Sequence, residues 1–178
     1  MPEPLNPGFT QTKSLSGNAK MGFTDGEIND VRVQEIKRFS DDRGWLMETF
    51  RHDELQPYYY PQMSYTSMTH PGVSRGPHEH EDQADLFVFI GPGTFRMWLW
   101  DNRKESSTYG HRMVFDAGEN APKQVLVPKG VVHAYKNIGT TPAISQNHPN
   151  RMYAGEGKKS PVDEVRHEDD PNTIYQLE

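Results

Sequence analysis

Four side chains able to bind metals or move protons fall into two short segments of this chain. The segment HEHEDQAD supplies His78, His80 and Asp85. On extended backbone His78 and His80 point the same way, because side chains alternate with period two. Asp85 follows after a bend, from where its carboxylate can turn toward the same point. The second segment, PKGVVHAYKN, sets Pro128 and Gly130 in a turn and His133 on the strand that follows. Imidazole nitrogens with one carboxylate suit Mn, Fe, Ni, Cu or Zn. Three histidines and an acid leave coordination positions open for substrate or water. A neutral histidine is equally a general base near neutral pH. A lone H-x-H beside acidic residues is ordinarily a solvated surface feature. The distant turn-plus-histidine motif is what raises this set above it.

Strands must do the positioning. The 14 prolines and 15 glycines punctuate the chain too often for long helices. VRVQEIKRF alternates apolar and polar residues and reads as a strand from Val31. DDRG then turns, WLMETF and residues 62–69 read as strands, and HPGVSRGP reads as a loop. ADLFVFI is a continuous apolar run closed by GPG. TFRMWLWD puts Phe95, Met97 and Leu99 on one face and Arg96, Trp98 and Trp100 on the other. HRMVFDA, QVLVP, GVVHAYKNIG and PAISQN supply four more strands. Turn signals at this spacing predict a mainly β sandwich or barrel. Residues 1–28 read as a polar N-terminal arm, and residues 29–178 as a single domain. Its charged end, from residue 150, is expected to cap the barrel as a loop and short helix. The Trp98–Trp100 pair is expected to pack in a core or dimer sheet, and the Tyr58–Tyr60 run onto the barrel. His70, His111, His148 and His167 show no partner pattern and are expected to be solvated.

The charge balance narrows the partners. With a net charge of −6 and no basic stripe, neither nucleic acid nor a membrane surface is an expected partner. An anionic ligand would need a locally basic pocket. The absence of cysteine rules out thiolate ligands and disulfides. No apolar signal core or membrane span is present, so a cytoplasmic location is expected.

The two histidine segments resemble the paired motifs of the cupin superfamily. Pro128, Gly130, His133 and Asn137 match its P-x-G-x-x-H-x-x-x-N motif throughout. His78, His80 and Gly91 or Gly93 match its first motif, with Asp85 at the usual Glu position. The resemblance implies a double-stranded β-helix, a jelly-roll barrel with short flanking helices. From about residue 30 to residue 175 the motif order is similar to one cupin family, the dTDP-4-dehydrorhamnose 3,5-epimerases. DDRGWLMETF, PQMSYTSMTHPGVSRGPHEH, NRKESSTYG and QVLVPKGVVHAY each resemble a segment of that family.

That resemblance implies an epimerase or isomerase acting on a nucleotide-activated keto-sugar, with no cofactor required. It puts His78 in the place of the general base and His133 in that of a second active-site histidine. Arg43, Glu48, Gln62 and Arg75 fall where the family binds the nucleotide sugar. It also implies a homodimer formed by strand exchange. Three positions depart from the pattern. Asp85 stands where the family has a lysine that stabilises the enolate, and a carboxylate would do the opposite. The family's acid tyrosine falls near Gln146, with Tyr153 the nearest substitute. No C-terminal aspartate stands ready to orient the base. A metal site of His78, His80, Asp85 and His133, holding Mn, Fe, Ni or Zn, is the alternative reading of the same residues. It would suit a metal-dependent cupin of another reaction class; a non-catalytic sugar-binding cupin is a third reading.

Overall fold

A computed structural model describes residues 22–178. Thirteen strands form two facing sheets and one hairpin. The strands are β1 (Thr24–Asp25), β2 (Arg32–Glu35), β3 (Arg38–Asp41), β4 (Gly44–Met47), β5 (Tyr65–Thr69), β6 (Ser74–Glu79) and β7 (Asp85–Phe89). They continue with β8 (Thr94–Asp101), β9 (His111–Gly118), β10 (Lys123–Val127), β11 (Val131–Asn137), β12 (Ala143–Asn147) and β13 (Val165–Arg166). One sheet has the order β1-β9-β8-β11-β6-β13, the other β2-β10-β7-β12-β5. This is the expected mainly β, cupin-like architecture, and its helical elements are single 3₁₀ turns. Among the described residues no helix is long and apolar enough to cross a membrane.

Alternation explains how the sheets bury their faces. Phe95, Met97 and Leu99 of β8 meet Phe87 and Phe89 of β7, Val125 and Val127 of β10, and Tyr135 of β11 between the sheets. Rings dominate this core: Tyr135 meets Phe87, Phe89 and Phe95 edge-on at 5.6, 5.5 and 5.2 Å. Edge-to-face contacts of this kind add to the area buried. The outer face of β8 is covered as well. Trp98 and Trp100 pack with Val132 and Ala134 under Tyr175, with Phe23 and Leu177 alongside. The expected arm over residues 1–28 lies mainly outside the described residues, but its end packs here: β1 pairs with β9, and Ile28 enters the main core. Tyr59 and Tyr60 lie over Leu55, Leu86 and Leu126 on the other sheet.

Two strand expectations need correction. VRVQEIKRF is not one strand. Residues Arg32–Leu126 to Glu35–Lys123 pair along β10, and the chain then leaves the sheet for the β3–β4 hairpin. HPGVSRGP is not simply a loop either, because β6 starts at Ser74. Glycine and proline hide the strand by supplying a β-bulge: His133 opposes His78 and Tyr135 opposes Arg75, so three steps on β6 match two on β11. The extra residue puts Arg75 and His78 on one face despite their odd spacing.

Gly76 carries that bulge at φ 78°. A Cβ there would lie 2.4 Å from the His133 carbonyl oxygen, inside contact distance. Gly76→Ala is therefore expected to destabilise the fold by about 1–3 kcal/mol or more, read by chemical denaturation.

Candidate active site

The bulged β6–β11 pair carries two of the histidines side by side, with His78 and His133 rings 4.4 Å apart. His80 lies two residues beyond His78, its ring 5.7 Å from each of the other two. Their candidate ligand atoms all fall within 4.8 Å of one another. Asp85, the first residue of β7, reaches them from the opposite sheet. Its Oδ2 is 3.0 Å from His80 Nε2 and 3.3 Å from His133 Nε2. Its Oδ1 accepts hydrogen bonds from Gln83 Nε2 and Asn147 Nδ2, both at 2.9 Å. The four residues that spacing singled out do converge.

The outer ring nitrogens are fixed by carbonyls. His133 Nδ1 donates to Val131 O at 3.1 Å, and His80 Nδ1 donates to the Asp163 carbonyl. A carbonyl only accepts, so Nδ1 carries the proton in both rings and Nε2 turns inward. His133 Nε2 is fully buried and has no hydrogen-bond partner, its approach to Asp85 being misaligned.

Burial sets the protonation of the cluster. It pushes the His78 imidazole well below its ordinary pKa, and the neighbouring His133 adds to this. His78 is therefore a neutral base. Burial also works against charge on His80 and Asp85, yet each overcomes it through the other. His80 is raised above its usual range, and Asp85 is held well below the usual carboxylate range by His80 and His133.

The C-terminal segment closes over this site. Asp163 accepts the backbone N–H groups of Glu81, Asp82 and Gln83 at 2.8–2.9 Å, fixing the loop between His80 and Asp85. β13 pairs with β6, bringing Glu164 and Glu168 each to 3.7 Å from His78 Nδ1. Where the sequence offered no C-terminal aspartate to orient the base, two glutamates stand beside it. His148 and His167, expected to be solvated, are buried. His167 pairs with Glu79 on the outer face of β6 at 3.0 Å, and burial beside Phe50 lowers the pKa of His148.

The remaining expected residues are scattered. Arg75 lies beside Tyr135 on the same face as His78, its guanidinium donating to Thr69 Oγ1 and the Met68 carbonyl. Arg43 caps the β3–β4 turn by pairing with Asp41, and Glu48 pairs with Arg51. Both stand in local contacts on or beside the hairpin. Gln62 donates its backbone N–H to Pro149 O. Tyr153 lies in a turn after β12, its amide on Met63 Sδ at 3.0 Å. Gln146 alternates with Asn147 on β12 and so faces away from the cluster.

Sequence reasoning missed Tyr65. It sits opposite Asn147 across β5 and β12, and its hydroxyl accepts from Asn147 Nδ2 at 2.9 Å. Burial of that hydroxyl, with Asp85 nearby, raises its pKa. The alternation of Tyr65, Ser67 and Thr69 was visible in the sequence, but not which face would look inward.

Residues 25–163 match the model of the dTDP-4-dehydrorhamnose 3,5-epimerase family. The chain belongs to this family. A probable low-salt glycan biosynthesis epimerase from Haloferax volcanii is 38% identical over 127 residues, covering 71% of this chain and 81% of that protein. A spore coat polysaccharide biosynthesis protein from Bacillus subtilis is 40% identical over 115 residues, covering 65% and 75%. In fold the chain is similar to a dTDP sugar isomerase from Desulfovibrio desulfuricans, with TM-score 0.71 and 19% identity over 84% of this chain and 90% of that one. A Legionella pneumophila epimerase solved with dTDP-4-keto-L-rhamnose gives TM-score 0.68 at 21% identity, covering 81% and 76%. Membership makes the protein an enzyme of the sugar-nucleotide epimerase class, and the family's chemistry proceeds without a cofactor.

Asp163→Ala should release the 81–83 loop, destabilising the protein by about 1–3 kcal/mol. Hydrogen exchange of the Glu81, Asp82 and Gln83 amides should quicken more than exchange in β8.

Proposed function

We propose that this protein epimerises a nucleotide-activated 4-keto sugar of the dTDP-sugar type, with His78 as the base that removes the proton beside the ketone. One observation carries the reading: His78 is a neutral imidazole held against His133, with Glu164 and Glu168 behind it. A carbon acid next to a carbonyl needs such a base within reach, and the conjugate imidazolium would be stabilised by the two carboxylates. Arg75, exposed on the same face, has the forked geometry to hold a diphosphate. Across the gap between the sheets, Tyr65 is better placed than Tyr153 to return a proton, since its hydroxyl belongs to the Asp85–Asn147 network. The proton transfers need no cofactor.

Arg43, Glu48 and Gln62 remain proposed substrate-binding residues. For Arg43 and Glu48 the reading requires a second copy of the chain. The β3–β4 hairpin exposes Phe39, Trp45 and Leu46, at 46, 54 and 60%. A two-stranded hairpin with bare apolar side chains is marginal alone and calls for a covering surface. We propose a homodimer in which the hairpin of one copy lies against its partner. The cytoplasm, where sugar nucleotides are made and used, is the proposed location.

Incubation with dTDP-4-keto-6-deoxyglucose in deuterium oxide should place deuterium on a carbon next to the ketone. His78→Asn should slow this about 10²-fold or more; exchange at the full rate would refute His78 as the base. Sedimentation at micromolar concentration should show a dimer, and Trp45→Lys with Leu46→Lys should shift it to monomer. A monomeric parent protein would overturn the hairpin assignment.

A further inference from the structure

Asp85 is a carboxylate buried against a cluster of three histidines. We propose that His78, His80, His133 and Asp85 form a binding site for one divalent transition metal ion. The spacing is close to that of ligands around a single ion, needing only a small contraction among the histidines. Atoms bound at about 2.0–2.2 Å lie about 3.0–3.5 Å apart when adjacent and about 4.2 Å apart when opposite. Asp85 Oδ2 is 3.0 and 3.3 Å from the Nε2 atoms of His80 and His133, and the three histidines span at most 4.8 Å.

A second observation points independently to a ligand. His133 is 1% exposed, and its Nε2 has no hydrogen-bond partner. Its Nδ1 is already committed to Val131 O, so the inward nitrogen is the one left to meet a ligand.

The outer contacts fit the same role. His80 is fixed by the Asp163 carbonyl, His133 by the Val131 carbonyl, and His78 faces Glu164 and Glu168. Gln83 and Asn147 hold the other oxygen of Asp85. Carbonyls and carboxylates behind ligand histidines orient the rings and strengthen them as donors. Three imidazole nitrogens and one carboxylate oxygen favour Mn, Fe, Ni or Zn over Ca or Mg. An imidazole whose lone pair is on a metal cannot take a proton, so on the epimerase reading the ion-bound cluster is a form in which His78 is withheld from base catalysis. Binding itself does not rest on that reading.

The test uses untagged full-length protein, stripped with chelator, desalted and titrated with Co²⁺ as the probe. One ion per chain is expected, with visible d–d absorption characteristic of nitrogen ligation and a rise in melting temperature. Gln83→Ala should weaken binding about 10–100-fold, and His80→Gln and Asp85→Asn should weaken it further. Circular dichroism of each metal-free variant shows whether it is folded; Gln83→Ala lies outside the ligand set should a ligand variant fail. Sub-stoichiometric binding without d–d bands, or equal affinity in the folded variants, would overturn the proposal. Deuterium exchange with and without chelator separates the two readings. Metal binding without exchange in the chelated protein would sink the epimerase assignment alone, and exchange in a protein that binds no metal would sink this site alone.

Discussion

Asp85 is a fully buried carboxylate in a protein of modest apolar content, and much of the structure around it serves to make that burial tolerable. An isolated charge in such a place costs several kcal/mol, and removing one partner of a buried pair typically costs about 3–5 kcal/mol. Here the charge is met from four directions: His80 after β6, His133 on β11, Gln83 in the connecting loop and Asn147 on β12. These partners come from both sheets. The carboxylate therefore fixes how the two sheets face each other at this end of the barrel, as the aromatic cluster around Tyr135 does at the other.

The demand spreads outward from there. His80 reaches Asp85 in the right orientation because its far nitrogen is held by the Asp163 carbonyl, and Gln83 does so because the Asp163 side chain gathers the loop amides. The acidic segment that carries Asp163 is placed by β13 pairing on β6 and by Tyr175 packing on Trp100. Its Glu164 and Glu168 then face His78. One strand of the site is thus connected to the last residues of the chain, where Trp98 Nε1 donates to the Glu178 carbonyl. The charged segment expected to cap the barrel also forms a wall of the candidate site.

Glycine and proline signals were both informative and misleading. GPG and PKG mark real turns, and they bracket β7 and β11 correctly. In SRGP the same residue types mark a bulge inside a strand. A bulge looks like a loop in sequence because its glycine and proline are chosen for local backbone shape. Whether the chain continues to pair afterwards depends on the neighbouring strand. The consequence here is functional, since the bulge is what lets Arg75 and His78 share a face.

The sequence by itself determined the barrel, the inward and outward faces of β8, the family, and the convergence of His78, His80, His133 and Asp85. Those follow from period-two alternation and from motif spacing, which are local and survive without knowledge of partners. Only the tertiary structure decided that Tyr65 joins the Asp85–Asn147 network, that Gln146 faces away from it, and that the C-terminal glutamates stand beside His78. It also showed that Arg43 and Glu48 stand in local ion pairs on or beside the β3–β4 hairpin. Each of these depends on which strand edge a distant segment meets, and burial, not composition, sets the charge of the groups that meet there. His78 is the clearest case. Its position was readable from two histidines spaced by one residue, but its neutral state comes from the walls that fold around it.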